Sequence, residues 1–282
     1  MKNIRHHDTH TGKLYLIPTP IGNLDDMTFR AVEMIKTVDA LYAEDTRVSG
    51  RLLTHFDIDR SLISLHEHNE KERKNDILHM LEKNKHVGII SDAGTPLLSD
   101  PGFVITKAAI DNDYPVIALP GANAVTPALS MSGLPPYPYM FIGFLPTKQK
   151  AREATLRNLR HVRATLVFYE SPHRMEKTLV DLEGLLGNRE ASLIREISKR
   201  YEESIHGDLR SLQKYDNFRG EFVLVVAGAS RTKDKVDVDV VKQVDFFIAS
   251  GDKKTTAMKK VAEMTGIPKN KIYKTYIEKK LK

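Results

Sequence analysis

The stretch SDAGTPLLSDPG at residues 91–102 sets two glycines, two prolines and two aspartates directly after the apolar run VGIIS (87–91). Gly94 and Gly102 permit φ > 0 and close approach of a ligand to the main chain. Pro96 and Pro101 stiffen the loop. Asp92 stands at the end of a predicted strand, the edge where ligands of open α/β sheets bind. A helix from about Phe103 is expected to present free N–H groups. An ordinary strand-to-helix turn would also be rich in turn formers. The density of such residues in one loop points instead to a binding loop.

Two further loops carry the same signature more weakly. LPGANA (119–124) offers Gly121, Ala122 and Ala124, small enough for an adenosine-sized group to lie against the main chain. IPTPIGN (17–23) is a stiff loop rather than a phosphate cradle. Three polar clusters at strand ends could do chemistry: EDTR (44–47), YESPHR (169–174) and REISKRYEE (195–203). Salt bridges are the competing explanation for such mixtures of acids and bases.

Several chemistries are excluded or unsupported. G-x-G-x-x-G and G-x-x-x-x-G-K-[ST] are both absent, so nothing supports a dinucleotide or P-loop site. The chain has no cysteine, which removes disulfides, thiolate metal sites and cysteine nucleophiles. His66 and His68, and the group His6, His7 and His10, lack supporting carboxylates. The first pair reads as structural or substrate-facing and the second as part of a flexible terminus. No metal site is expected.

The elements that must position these loops follow from the apolar pattern. KLYLI (13–17), ALYA (40–43), VGIIS and PVIAL (115–119) read as buried strands, with amphipathic helices at 27–38 and 70–83. Strands alternating with helices predict a mostly parallel, helix-covered sheet. The break GLPPYPY (133–139) marks a domain boundary. Beyond it YMFIGF (139–144), TLVFY (165–169), ASLIREI (191–197) and EFVLVVA (221–227) read as strands of a mixed sheet, with helices near 150–162, 173–186 and 208–216. The expected organisation is an N-terminal extension (1–12), two α/β domains (13–133 and 134–230), a charged linker (231–239) and a helical module (240–282). The 282 residues are 41% hydrophobic and 28% charged, an ordinary globular mix. No apolar run approaches the roughly 20 residues of a membrane span. The start, MKNIRHHDTHTGK, lacks the apolar stretch of a secretory signal. A cytoplasmic protein without membrane partners is expected.

Charge is uneven. Residues 240–282 carry 11 lysines and 4 acids, a net of +7, while the rest of the chain is near neutral at −1. Three short helices are expected there, near 238–249, 255–265 and 269–281. Ala262, Gly266 in the turn and Ile272 have the spacing of two tightly crossing helices, as in a helix-turn-helix. Lys253, Lys254, Lys259, Lys260, Lys269, Lys271 and Lys274 could then meet phosphates. The alternative is a helical appendage that merely packs on the body.

IPTPIGNLDD, YAEDTR, SDAGTPLLSDPG, LPGANA, GFLP, YESPHR and REISKRYEE, in this order, resemble the bacterial ribosomal-RNA small-subunit methyltransferase I family, a branch of the tetrapyrrole-methylase-like methyltransferases. The resemblance spans about residues 13–230, and the tail resembles that family's helix-turn-helix module. It implies two α/β domains of the tetrapyrrole-methylase type with S-adenosylmethionine in the cleft between them. It also implies 2′-O-methylation of a decoding-centre cytidine in small-subunit ribosomal RNA, and a homodimer. Carried onto this chain, the cofactor site falls on Pro18, Asp92, Ala93, Gly94, Thr95, Gly121, Ala122, Asn123 and Ala124. The second domain would add Tyr169, Ala227 and Gly228. A ribose hydroxyl is a poor nucleophile, and a positioned base helps it. Asp100, on the glycine-rich loop, is the first expectation for that base and Glu170 the second. Two rival readings are a methyltransferase for a tetrapyrrole-like small molecule and a non-enzymatic ligand-sensing regulator with a DNA-binding tail. The first leaves the basic tail without a use, and the second leaves the three loops without one.

Overall fold

Leu14 and Leu16 turn to one apolar cluster, and Tyr15 and Ile17 turn to another on the opposite face of the same sheet. A strand covered on both faces reads as an unbroken apolar run, because alternate side chains both need a dry partner. In the computed structural model, which describes residues 11–230, 239–265 and 267–280, this strand is β1 (Leu14–Ile17). After it come α1 (Phe29–Thr37), β2 (Ala40–Ala43), α2 (Thr46–His55), β3 (Leu62–Ser64) and α3 (Glu70–Glu82). Then follow β4 (Val87–Ile90), α4 (Phe103–Asp111), β5 (Val116–Ala118) and α5 (Val125–Met131). The sheet runs β3-β2-β4-β1-β5 and is parallel throughout. The carboxyl ends of the neighbouring strands β4, β1 and β5 therefore lie side by side.

The second sheet is built from β6 (Tyr139–Phe144), β7 (Thr165–Glu170), β8 (Glu190–Arg195), β9 (Glu203–Asp208) and β10 (Phe222–Val226), in the order β6-β7-β10-β8-β9. Only β6 and β7 are parallel; the other pairs are antiparallel, so the sheet is mixed as expected. Leu166, Phe168, Leu193 and Leu224 pack one face against α6 (Gln149–Leu159), α7 (Pro172–Leu186) and α8 (Leu209–Leu212). Val167, Ile194, Val223 and Val225 pack the other face against Val125, Ala128 and Leu129 of α5. Helix α5 thus follows a strand of the first sheet but is buried on the second. That arrangement brings Asn123 and Ala124 next to the second sheet.

Three elements were not expected from the sequence. Helix α2 grows from the EDTR cluster, where Asp45 caps it by accepting from the Arg47 N–H at 2.8 Å. Strand β3 is only three residues long. Strand β9, ESIHGD, is polar and largely exposed because it is an edge strand with one neighbour. Conversely, the helix expected over 208–216 is a single turn at Leu209–Leu212.

The chain divides into two compact units, Met1–Gly228 and Ala229–Lys282. The second unit comprises α9 (Val240–Ala249), α10 (Lys254–Thr265) and α11 (Lys269–Lys280), closed over Val244, Ala257, Met258, Val261, Ile272 and Tyr276. Tyr276 donates from its hydroxyl to Asp245 at 2.6 Å. Ile272 is buried and Ala262 packs at the edge of this small core. His6, His7, His10, most of the expected linker and Gly266 lie outside the described residues.

Candidate active site

The three glycine- and proline-bearing loops are laced together by short polar contacts. Thr19 and Gly94 exchange two backbone hydrogen bonds, each 2.9 Å, which pins the loop after β1 to the loop after β4. Thr19 Oγ1 donates to the Ser91 carbonyl at 2.9 Å, and Ser91 Oγ donates to the Gly94 carbonyl at 2.9 Å. Thr95 Oγ1 donates to the Ala122 carbonyl at 3.0 Å, tying in the loop after β5. Gly94 adopts φ +86°, which glycine tolerates without a Cβ penalty. Leu97 and Ser99 take φ +73° and +78°. Such conformations cost about 1–2 kcal/mol per non-glycine residue and persist where surrounding contacts over-determine them. Ser99 is held beside the β6 bulge, since a Cβ on Gly143 would stand 3.2 Å from its hydroxyl.

These loops and the second sheet enclose a cavity of about 330 Å³. Ala93, Gly94, Thr95, Asp100, Asn123, Ala124 and Tyr169 line it, all positions expected from the sequence. Glu170, the second expectation for the base, lines it as well, with Ser171 and Pro172. Its apolar wall is made by Ile21, Leu98, Phe144, Ile194, Ile197, Phe222 and Val223. The sequence assigns none of the seven a role, although Ile21, Leu98, Phe144 and Ile197 lie in the motifs quoted above. Ile194, Phe222 and Val223 read as ordinary strand core, and the pairing of strands brings them to the cavity. Tyr169 packs edge-on against Phe141 and Phe144, with centroids 4.9 and 5.6 Å away.

Asp100 is the electrostatic focus. Burial, followed by the Glu44 and Asp92 carboxylates, pushes its carboxyl up to about 7. The neighbouring Ser91 hydroxyl opposes this only in part; its proton goes to the Gly94 carbonyl. Burial and Asp92 raise Glu44 as well, and burial and then Asp45 raise Asp92. Burial and the nearby Asp100 push Tyr169 up to about 12, so its phenol stays protonated. A carboxyl poised near neutrality in a cleft suits general-base work.

Other expected residues have their polar groups committed or lie elsewhere, for identifiable reasons. Glu170 is buried with both oxygens committed. Oε1 accepts from the Ser171 N–H at 2.8 Å and lies 3.3 Å from Arg174 Nε, and Oε2 accepts from Thr178 Oγ1 at 2.7 Å. It lines the cavity with its carboxylate committed to securing the start of α7. Ala227 and Gly228 follow β10, which runs antiparallel to β7. Phe222 pairs with Glu170 at the cavity end, whereas Val226 pairs with Leu166 at the far end. There Ala227 N–H donates to the Glu190 carbonyl at 2.8 Å, and a Cβ on Gly228 would collide with the Arg163 carbonyl.

Gly121 is small for its neighbour rather than for a ligand: a Cβ there would stand 2.6 Å from Pro18 Cβ. Pro18, Asp92, Gly121 and Ala122 thus lie behind the lining residues and hold them. Asn123 lines the cavity but its Oδ1 accepts from Thr126 N–H at 3.0 Å, at the start of α5. The expected open N-terminus of α4 is not open. Glu70 Oε1 accepts from the Gly102 and Val104 N–H groups, each at 2.9 Å.

The seven expected RNA-facing lysines are exposed on the helical unit. Two have partners within it: Lys254 lies 4.9 Å over the Tyr276 ring, and Lys260 pairs with Asp252 at 2.7 Å. His66 and His68 are exposed, with rings 5.9 Å apart. Among the described residues no group of three His, Asp or Glu stands close enough to hold a metal ion. None of their helices is long and apolar enough to cross a membrane.

Two parallel-to-mixed sheets with strand-end loops meeting over a cleft define a methylase fold, and the comparisons agree. The tetrapyrrole (corrin/porphyrin) methylase family matches residues 13–213, so the chain belongs to that family. At closer range it resembles proteins named ribosomal RNA small subunit methyltransferase I. The one from Halalkalibacterium halodurans is 42% identical over 94% of each chain, and the one from Bacillus subtilis is 41% identical over 94% of each. Within the methylases the chain is a member of that group. Solved structures share the fold at low identity. A diphthine synthase has TM-score 0.59 at 15% identity, covering 77% of this chain and 90% of its own. A uroporphyrin-III-C-methyltransferase from Thermus thermophilus has TM-score 0.53 at 18% identity, covering 77% and 94%.

Proposed function

We propose that this chain methylates the ribose 2′-hydroxyl of a cytidine in the decoding region of small-subunit ribosomal RNA, using S-adenosylmethionine. The coarser part follows from kinship: the relatives carry the name of a small-subunit ribosomal RNA methyltransferase. A hydroxyl as the acceptor is supported by Asp100, a cavity-lining carboxyl held near neutrality; the cytidine and the decoding region rest on the motif resemblance alone. The reading includes a cytoplasmic homodimer, with residues 13–133 and 134–230 as the two catalytic domains and the lysines of 240–282 meeting RNA phosphates.

The cavity fits the cofactor. Its volume lies in the range of small-molecule sites, roughly 300–1,000 Å³. Ala93, Gly94, Thr95 and Ala124 present main chain without bulk, and Ile194, Phe222 and Val223 offer an apolar wall suited to an adenosine. When bound, the cofactor supplies a methyl group already activated on a sulfonium. The chain's own work is then alignment and proton removal. Asp100 would take the proton of the ribose hydroxyl whose oxygen accepts that methyl group. Tyr169, kept protonated, remains a donor at the same wall. Glu170, already bound by Ser171, Arg174 and Thr178, keeps the helix start rigid.

The test is methyl transfer from radiolabelled S-adenosylmethionine to small ribosomal subunits, naked ribosomal RNA or a small-molecule extract. A 2′-O-methyl group blocks alkaline cleavage of its own phosphodiester, so label is expected in an alkali-resistant dinucleotide. Label appearing only in the extract, or only in alkali-labile nucleotides, overturns the reading.

A further inference from the structure

Successive residues at the end of β4 face different cavities. Ala93 and Gly94 line the one described above. Ser91 and Asp92 line a second, of about 280 Å³, together with Ser49 and Leu52 of α2. Its walls are mostly apolar, from Pro20, Leu24, Val48 and Leu52. Two polar side chains at its wall are conspicuous. Ser49 is 2% exposed, yet its hydroxyl has no hydrogen-bond partner among the described residues. A helical serine usually bonds back to the preceding turn, and an orphaned buried hydroxyl calls for an explanation. Asp92 accepts from the Asp45 N–H with Oδ1 at 3.0 Å. Its Oδ2 has no such donor among the described residues. Arg51, exposed, lines the same cavity.

We propose that this second cavity seats the base of the nucleotide to be methylated, and that it selects cytosine. The inference rests on the RNA reading above. An aspartate accepts from the exocyclic amine of cytosine, which Asp92 would do with Oδ2. A turn of the buried Ser49 side chain about χ1 brings its hydroxyl to a ring acceptor on the same edge, which gives that hydroxyl its missing partner. The flat apolar walls hold the faces of a base drawn out of its stack, as base-reading enzymes do. Uracil would set a carbonyl oxygen against Asp92, where the two repel. The attached ribose then falls at the border of the two cavities. Asp100 stands near there, close enough to Ser91 and Asp92 to feel both. Arg51 is placed for a flanking phosphate.

The test uses the full chain with Leu52→Trp to fill the cavity and Ser49→Ala to remove the hydroxyl. S-adenosylmethionine affinity is measured by calorimetry, KM for small subunits by methyl transfer, and binding of CMP and UMP by ligand-observed NMR. Leu52→Trp should leave cofactor affinity within twofold, raise subunit KM at least tenfold and abolish the CMP signal. Ser49→Ala should narrow the preference of the wild type for CMP over UMP. If Leu52→Trp does not fold, Val48→Trp blocks the same cavity from a half-exposed position. Equal loss of cofactor affinity would assign the cavity to the cofactor and overturn the proposal. An unchanged KM, or equal binding of CMP and UMP by the wild type, would overturn it too. Should subunits not be methylated at all, the RNA reading fails, while CMP binding that Leu52→Trp abolishes still decides the cavity.

Discussion

Glu70 Oε1 lies 2.9 Å from the backbone nitrogens of both Gly102 and Val104. One buried carboxylate from α3 therefore occupies the positive end of α4 and holds the trailing edge of the loop that carries Asp100. Replacing it by alanine orphans two donors. Charged hydrogen bonds contribute about 1.5–3 kcal/mol each, and partial solvation of the freed donors should keep the net loss near 2 kcal/mol. Urea unfolding should show that loss for Glu70→Ala and a smaller one for Glu70→Gln, which keeps an acceptor. Equal stability of all three would mean the contacts are not formed in solution.

Asp100→Asn should lower kcat by about 10²–10⁴-fold with cofactor affinity nearly unchanged. A parallel fall in cofactor affinity would make the residue a binding group instead.

The same carboxyl sets a pH dependence. A base must be ionised, so kcat should climb as pH rises through about 7, where burial, Glu44 and Asp92 place Asp100. Glu44→Gln removes one repelling charge and should move the midpoint to lower pH. Stability runs the other way. The raised folded value favours the protonated form, so the stability it contributes is full below the ordinary aspartate value near 4. It is lost as pH rises through about 7. Asp100→Asn should then be more stable than the wild type above pH 7 and match it below pH 4. A stability difference independent of pH would contradict the burial of this group.

Gly121→Ala should weaken cofactor binding through Pro18, since the new Cβ would stand 2.6 Å from the Pro18 Cβ. The loops after β1 and β5 would be forced apart, and overpacking of this kind costs about 1–3 kcal/mol. Pro18→Gly should relieve it, so the double variant should bind better than the sum of the single losses predicts. Strict additivity would show that the glycine serves the ligand directly.

Lysine-to-glutamate changes at Lys269, Lys271 and Lys274 should weaken RNA binding and flatten its salt dependence. Every lysine that ceases to neutralise a phosphate takes about 0.7–0.9 off the log–log slope. Cofactor affinity should not move. An unchanged slope would leave α11 as a packing element only.

Much of this protein was determined by its sequence alone. The buried strands β1, β2 and β4 were readable because a strand covered on both faces must be apolar throughout. The loops at 91–102 and 119–124 were readable because turns over a ligand or a neighbouring chain demand glycine and proline locally, whatever the rest of the chain does. Asp100 was found through its loop. Tertiary structure decided what depends on partners far away in the chain. The antiparallel direction of β10 sends Ala227 and Gly228 away from the cavity and brings Phe222 and Val223 to it. Strand direction is set by pairing with β7 and β8, which no local pattern encodes. The polar edge strand β9 has one neighbour and needs no apolar signature. Glu70, Gly121 and Ser49 each take their meaning from an atom distant along the chain or from an empty space. Residue type alone does not reveal such a relation, because the same glutamate, glycine or serine on a surface would face only water.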